Sequence, residues 1–223
     1  MKRLFLCLGS IFALSFSLFS LSGCSKSVNY SDYVSEYRSE IYLAESEGYI
    51  LSAFFTDREY PYAHDGVCAK KESLVEIYLT VPDNTKEYTI SFISADGTEC
   101  GGDMSYDSVH ARWFYSQSLK AISETFITFT LTFEKESLTL QANSVKTGNE
   151  MTMPEVLNKL TEQKQEFFAG LSDKNSFSGE LCVRLVYNEK CYYFIGVTTG
   201  EKKMNCFLVD AYTGEILAER THG

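Results

Sequence analysis

The densest grouping of reactive side chains is Arg58-Glu59-Tyr60-Pro61-Tyr62-Ala63-His64-Asp65-Gly66. Arg58 supplies a cation, Glu59 and Asp65 carboxylates, His64 an imidazole that titrates near neutrality, and Tyr62 a stacking ring. Such groups suit a binding loop or, with partners brought in from elsewhere, an acid–base hydrolase. The same residues also make an ordinary turn, with Asp65-Gly66 as the bend and Arg58 and Glu59 solvated. Cys68 follows His64 by four positions, but a thiol–imidazole nucleophile needs a contact in space that spacing does not supply. Asp96, Glu99, Asp103 and Asp107 crowd a glycine-containing stretch and offer oxygen ligands to calcium. Their spacing is not that of an EF-hand loop, so a solvated acidic loop is expected. His64, His110 and His222 lack metal-ligand spacing, and the chain has no HExxH, no GxSxG elbow and no CxxC. The expectation is a non-catalytic chain without metal or cofactor, with Arg58, Glu59, Tyr62, His64 and Asp65 as its binding loop.

Composition narrows the class. The chain has 223 residues and is 44% hydrophobic and 14% aromatic, which excludes intrinsic disorder. Its formal charge of −10 argues against nucleic acid as a partner, because displacing counterions needs a basic surface. Fifteen tyrosines suit either recognition surfaces or strands.

The N-terminus gives an address. Lys2 and Arg3 precede an uncharged apolar or small run from Leu4 to Leu21, which ends in Leu21-Ser22-Gly23-Cys24. This resembles a bacterial lipoprotein signal peptide (residues 1–23) with its lipobox. The resemblance implies that Cys24 takes acyl chains, a diacylglyceryl group and palmitate, and becomes the first residue of the mature chain. Cleavage there removes 23 residues, two of them basic, and leaves 200 residues at a formal charge of −12. An acidic body is repelled by anionic lipid, so the anchor would hold it to the cell membrane on the extracytoplasmic face. The expected partners are that membrane and an envelope protein or extracellular ligand. The mature chain is also similar to a class of lipoproteins of Gram-positive bacteria, a similarity that carries no activity with it.

Residues 24–31 read as a polar tether. Asp32 to Ala44 is expected to be helical, because Tyr33, Tyr37, Ile41 and Ala44 recur at spacings of four and three, with Gly48 ending the element. From Tyr49 to Val145 the period becomes two: Val75, Ile77, Leu79 and Val81; Tyr88, Ile90 and Phe92; Ile127, Phe129, Leu131 and Phe133; Leu138, Leu140 and Ala142. Turn residues separate the runs, so residues 32–146 are expected to be a helix plus an immunoglobulin-like antiparallel β-sandwich with Trp113 in its core. Residues 147–153 read as a linker. Thr152, Pro154 and Glu155 then start a helix as N-cap, first-turn proline and capping box. Its apolar face runs from Val156 to Leu171.

The last strands can be set in register. Asn188-Glu189 as a two-residue turn puts Val183 opposite Phe194 and Leu185 opposite Tyr192. A loop over 199–202 then puts Phe207 opposite Phe194. The resulting face holds Val183, Leu185, Tyr192, Phe194, Phe207, Val209, Ile216 and Ala218, with the helix covering it. Cys182, Cys191 and Cys206 fall on the other face, roughly 10 Å or more apart, too far for disulfides. With Cys68 and Cys100 they make five mature cysteines apart from Cys24, expected as free thiols.

Asp210-Ala211-Tyr212-Thr213-Gly214-Glu215-Ile216 resembles the closing hairpin of PepSY domains. The resemblance spans residues 154–223 at most and implies a helix on a four-stranded antiparallel meander. It also implies, as an alternative role, modulation of an extracytoplasmic peptidase. The fold class expected overall is α+β: a helix and β-sandwich, then a helix-plus-meander module.

Overall fold

The computed structural model describes residues 28–60, 67–123, 125–173, 176–199 and 203–222. After a 3-10 turn at Tyr30–Tyr33, strand β1 (Val34–Ser46) turns into β2 (Tyr49–Glu59) through Glu47 and Gly48. Both turn residues have positive φ, 52° and 82°, the backbone a two-residue hairpin needs to follow the twist of its strands. Next come β3 (Lys71–Thr80), β4 (Thr89–Ile93), β5 (Glu99–Asp103), β6 (Ser105–Asp107), β7 (Arg112–Ser118), β8 (Phe126–Phe133) and β9 (Glu136–Ser144). Their hydrogen-bonded order is β6-β7-β3-β2-β1-β9-β8-β4-β5.

That sheet rolls up until β5 and β7 nearly meet. The Gly101 N–H donates to Gln117 Oε1 at 3.2 Å, and a Cβ built on Gly102 would lie 3.1 Å from the Tyr115 ring. The inward half of each alternating strand fills the interior with Leu51, Ile77, Ile90, Phe129, Leu131 and Leu140. Trp113 is buried in this core, as its position among the strands suggested.

The second half begins with α1 (Met153–Gln163) and α2 (Gln165–Gly170), then the short pair β10 (Ser172–Asp173) and β11 (Ser176–Phe177). Thr152 and Glu155 form the expected capping box. Strands β12 (Glu180–Asn188), β13 (Lys190–Thr198), β14 (Met204–Asp210) and β15 (Ile216–His222) form an antiparallel meander. They are not a separate sheet. β12 runs parallel to the first half of β1 (Tyr37 beside Val183), whereas the second half of β1 pairs with β9 (Tyr42 beside Ser144). Val156, Leu157, Leu160 and Phe168 pack from the helices onto Val183, Leu185, Tyr193 and Ile195.

The α+β expectation is therefore overturned: among the described residues the fold is mostly β, a nearly closed, barrel-like sheet with two short α-helices, with no helix over 32–44 and no immunoglobulin-like sandwich. The expected helix over 32–44 is β1. Tyr33, Tyr37 and Ile41 lie four apart, and four is an even step, so the spacing suits one face of a strand as well as one face of a helix. A bulge between Arg38 and Glu40 hides the alternation further. The expected single helix breaks at Lys164, where φ is −120° and ψ 40°.

The meander register is displaced by one. Asn188 pairs with Lys190, leaving Glu189 alone at the bend with φ 63°. Val183 therefore faces Ile195 and Leu185 faces Tyr193. A one-residue slip turns a whole strand over. Cys191, Tyr193, Ile195 and Val197 consequently line the helix-covered core instead of Tyr192 and Phe194. Cys191 moves with them, whereas Cys182 and Cys206 flank Gly196 on the other face. All five described cysteines are free.

Candidate functional site

Of the sequence-selected residues, Tyr62, His64, Asp65 and the lipidation residue Cys24 lie outside the described residues. Arg58 and Glu59 end β2 and, as neighbours on a strand, point to opposite sides. Glu59 is buried and accepts a hydrogen bond from the Ala69 N–H, and its Oε2 has no partner among the described residues. Arg58 pairs with Glu76 at 3.2 Å. The two do not converge into one loop site.

Cys68 has its thiol pushed up to about 11 by burial and by the Glu59 and Glu180 carboxylates, the direction opposite to an activated nucleophile. Three of the four carboxylates of the acidic stretch make local bonds. Asp96 accepts from Ser94 and Thr98, Asp103 from Thr89, and Asp107 lies 2.7 Å from His110 Nδ1. Among the described residues no three His, Cys, Asp or Glu side chains are arranged to hold a metal ion.

Arg58 belongs instead to a surface that no single segment reveals. On the side of β2 facing away from the barrel interior, Phe54, Thr56 and Arg58 alternate with inward residues. Cross-strand pairing aligns Arg184, Arg38 and Thr56 on β12, β1 and β2. It also aligns Phe54 with Glu76, and Tyr78 with Phe114. The guanidinium of Arg38 sits 4.3 Å over the Phe54 ring and that of Arg112 4.0 Å over Tyr78, while Phe54 and Tyr78 meet edge to face at 5.7 Å. Four of the six arginines in the sequence, Arg38, Arg58, Arg112 and Arg184, thus share one face with three aromatic rings.

Their charges are not equally matched. Arg184 grips Glu36 with both prongs, Nε to Oε1 at 2.5 Å and Nη2 to Oε2 at 2.8 Å. Glu36 is almost fully buried and needs that fork. Arg112 Nε lies 3.6 Å from Asp107 Oδ2. Arg38 has no hydrogen bond or ion pair among the described residues, and its Nε is buried without an acceptor. Beside it, Thr56 is fully buried with Oγ1 also unpartnered. Burial and the neighbouring Arg184 lower the Arg38 pKa, with Glu36 and Glu76 opposing. Arg38 is therefore a half-buried cation beside a second cation, with an aromatic floor and no counter-charge in contact. That arrangement suits a planar, bidentate oxyanion, a carboxylate or a phosphate.

Sequence reasoning found one of the four arginines. The available signal was the composition of the outward half of the strands: Arg, Phe and Tyr on β1, β2, β3 and β7, against Thr and Ser on β4, β8 and β9.

No family model, curated protein or solved structure matches this chain.

Proposed function

We propose that this chain is a lipid-anchored, non-catalytic binding protein on the extracytoplasmic face of the cell membrane, with the arginine–aromatic face as its binding surface for oxyanion-bearing ligands. The observation that carries the reading is Arg38, stacked on Phe54 beside Arg184 and without an acceptor among the described residues. A carboxylate or phosphate placed there would meet Arg38 without displacing the Arg184–Glu36 pair. The anchor reading rests on the lipobox. Among the described residues no helix is long and apolar enough to cross a membrane. The hairpin that resembles PepSY domains has its motif residues occupied in the turn. Asp210 Oδ1 accepts from the Tyr212 and Thr213 N–H groups, and Gly214 supplies a φ of 73°. This supports placing recognition on the arginine face.

Calorimetric titration of the mature chain with polyphosphate and with polyglutamate tests the surface. Binding to either that weakens about tenfold in Arg38→Ala, and weakens with salt, supports it. Failure to bind both, or equal binding by Arg38→Ala, removes it. Cys24→Ala should release the protein from the membrane fraction, and a variant still processed and retained overturns the anchor.

A further inference from the structure

A large concavity lies on other strands of the rolled sheet, and Arg38 is not among the residues that line it. It is a groove of about 960 Å³ over the solvent-facing side of β4, β5 and β8. A groove of that size is in the range of small-ligand sites. We propose that it is a second binding site, independent of the arginine face, and that it takes a neutral oligosaccharide.

Three observations carry this. First, the groove is lined at Gly101 by a backbone position that only glycine fits. Gly101 has φ 146°, and a Cβ there would sit 2.2 Å from the Ile90 carbonyl oxygen and 2.7 Å from Ser91 Cα.

Second, the wall is hydroxyl-rich and nearly uncharged. Ser91, Thr128 and Thr130 line it, and none of these hydroxyls has a hydrogen-bond partner among the described residues. Among the described lining residues Glu99 is the only charged one, and none is lysine or arginine. A hydroxyl both donates and accepts, which matches the hydroxyls of a sugar and gives an anion no counter-charge. Ile93 and Phe126, 65% and 45% exposed, supply the apolar contacts against which the C–H face of a pyranose ring packs.

Third, a peptide strand is disfavoured as occupant. β5 pairs only with β4, yet its other edge is already held by β7 side chains: Gln117 takes the Gly101 N–H, and Tyr115 lies against Gly102. Strand addition would have to displace both.

Methyl-resolved NMR of the mature chain, titrated with an N-acetylglucosamine tetramer and separately with a glucose tetramer, tests the site. The expected result is shifts confined to Ile93, Thr128 and Thr130, with the methyl resonance of Thr56, the cross-strand partner of Arg38, unmoved. Ser91→Lys, an exposed position that fills the groove, and Phe126→Ala should each weaken binding about tenfold, whereas Arg38→Ala should leave it unchanged. No shift with either tetramer, shifts outside the groove, or binding indifferent to Ser91→Lys would overturn the proposal. Because the anion surface is read with different probes and a different variant, the failure of one proposal is separate from the failure of the other.

Discussion

Arg38 and Arg184 stand side by side on adjacent parallel strands, and Glu36 binds the second of them through both of its oxygens. Like charges directly across from each other oppose sheet formation. Here the opposition is relieved on one side only, so the two arginines should respond to mutation in different ways.

Arg184→Ala takes the two-pronged partner from the Glu36 carboxylate, which is 4% exposed. Removing one partner of a buried pair costs several kcal/mol, and the partial exposure of Arg184 reduces that to about 2 kcal/mol. Arg38→Leu deletes a buried donor that has no acceptor and keeps a contact with Phe54, so its stability should stay within about 1 kcal/mol of wild type. Urea unfolding of the two variants checks the asymmetry. Equal losses would mean that Arg38 is structural.

Acid should loosen the helix-covered half through two carboxylates. Burial opposes ionisation of Glu150, but the Thr147 N–H, with the Tyr212 hydroxyl also donating, outweighs it and holds the group down at about 2. Lys190 holds Asp210 at about 2 as well, donating from Nζ at 2.7 Å, with the Tyr212 and Thr213 N–H groups adding to it. Both folded values lie below the ordinary carboxylate range. Their stabilisation is therefore complete above about pH 4.5 and is lost as the pH falls towards 2. Glu150→Gln should lower Tm on the neutral plateau and flatten its decline over that acid interval, because the stabilisation it removes is the one that acid would otherwise take away.

The described thiols should react slowly. Burial raises Cys68 and Cys191 to about 11 and Cys182 to about 12. At pH 8 a thiol of pKa 11 is about one part in a thousand thiolate. Alkylation of the folded mature chain by iodoacetamide should be far slower than that of free cysteine and should accelerate on unfolding. A rapid stoichiometric reaction at Cys68 would instead favour a nucleophile there.

Gly101→Ala should be costly. Its methyl group would collide with backbone atoms of β4, which cannot swing aside as a side chain can. A loss of about 3 kcal/mol is expected, seen as a lower urea midpoint. Gly97→Ala is the control, since its φ of 83° is also unfavourable but nothing lies within 4 Å of the added methyl.

Legibility in the sequence followed the local physics. The runs at 75–81, 88–92, 127–133 and 138–142 are strands because one face of each is buried and alternation has no other cause. The helix start was equally plain, because Thr152, Pro154 and Glu155 each act within a single turn. β1 was not legible. Tyr33, Tyr37 and Ile41 are spaced by steps that suit a helix as well as a strand, and one edge of β1 is committed to partners far away in sequence, β12 and then β9. The meander register turned on whether one residue or two sit at the Asn188-Glu189 bend, a difference in backbone angle that residue types do not encode. The candidate site was the least legible. Arg38, Phe54, Tyr78, Arg112 and Arg184 sit on five strands, and only pairing brings them together.

The first strand made is also the one that must wait longest. Val34 sits beside Leu181, far away along the chain. Until the twelfth strand arrives, half of one edge of β1 is an open row of amide and carbonyl groups, able to recruit any extended segment nearby. Closing so long a loop is entropically slow. A chain cut short before residue 180 would thus be left with an adhesive margin, and its fate would be aggregation or proteolysis rather than a smaller working protein.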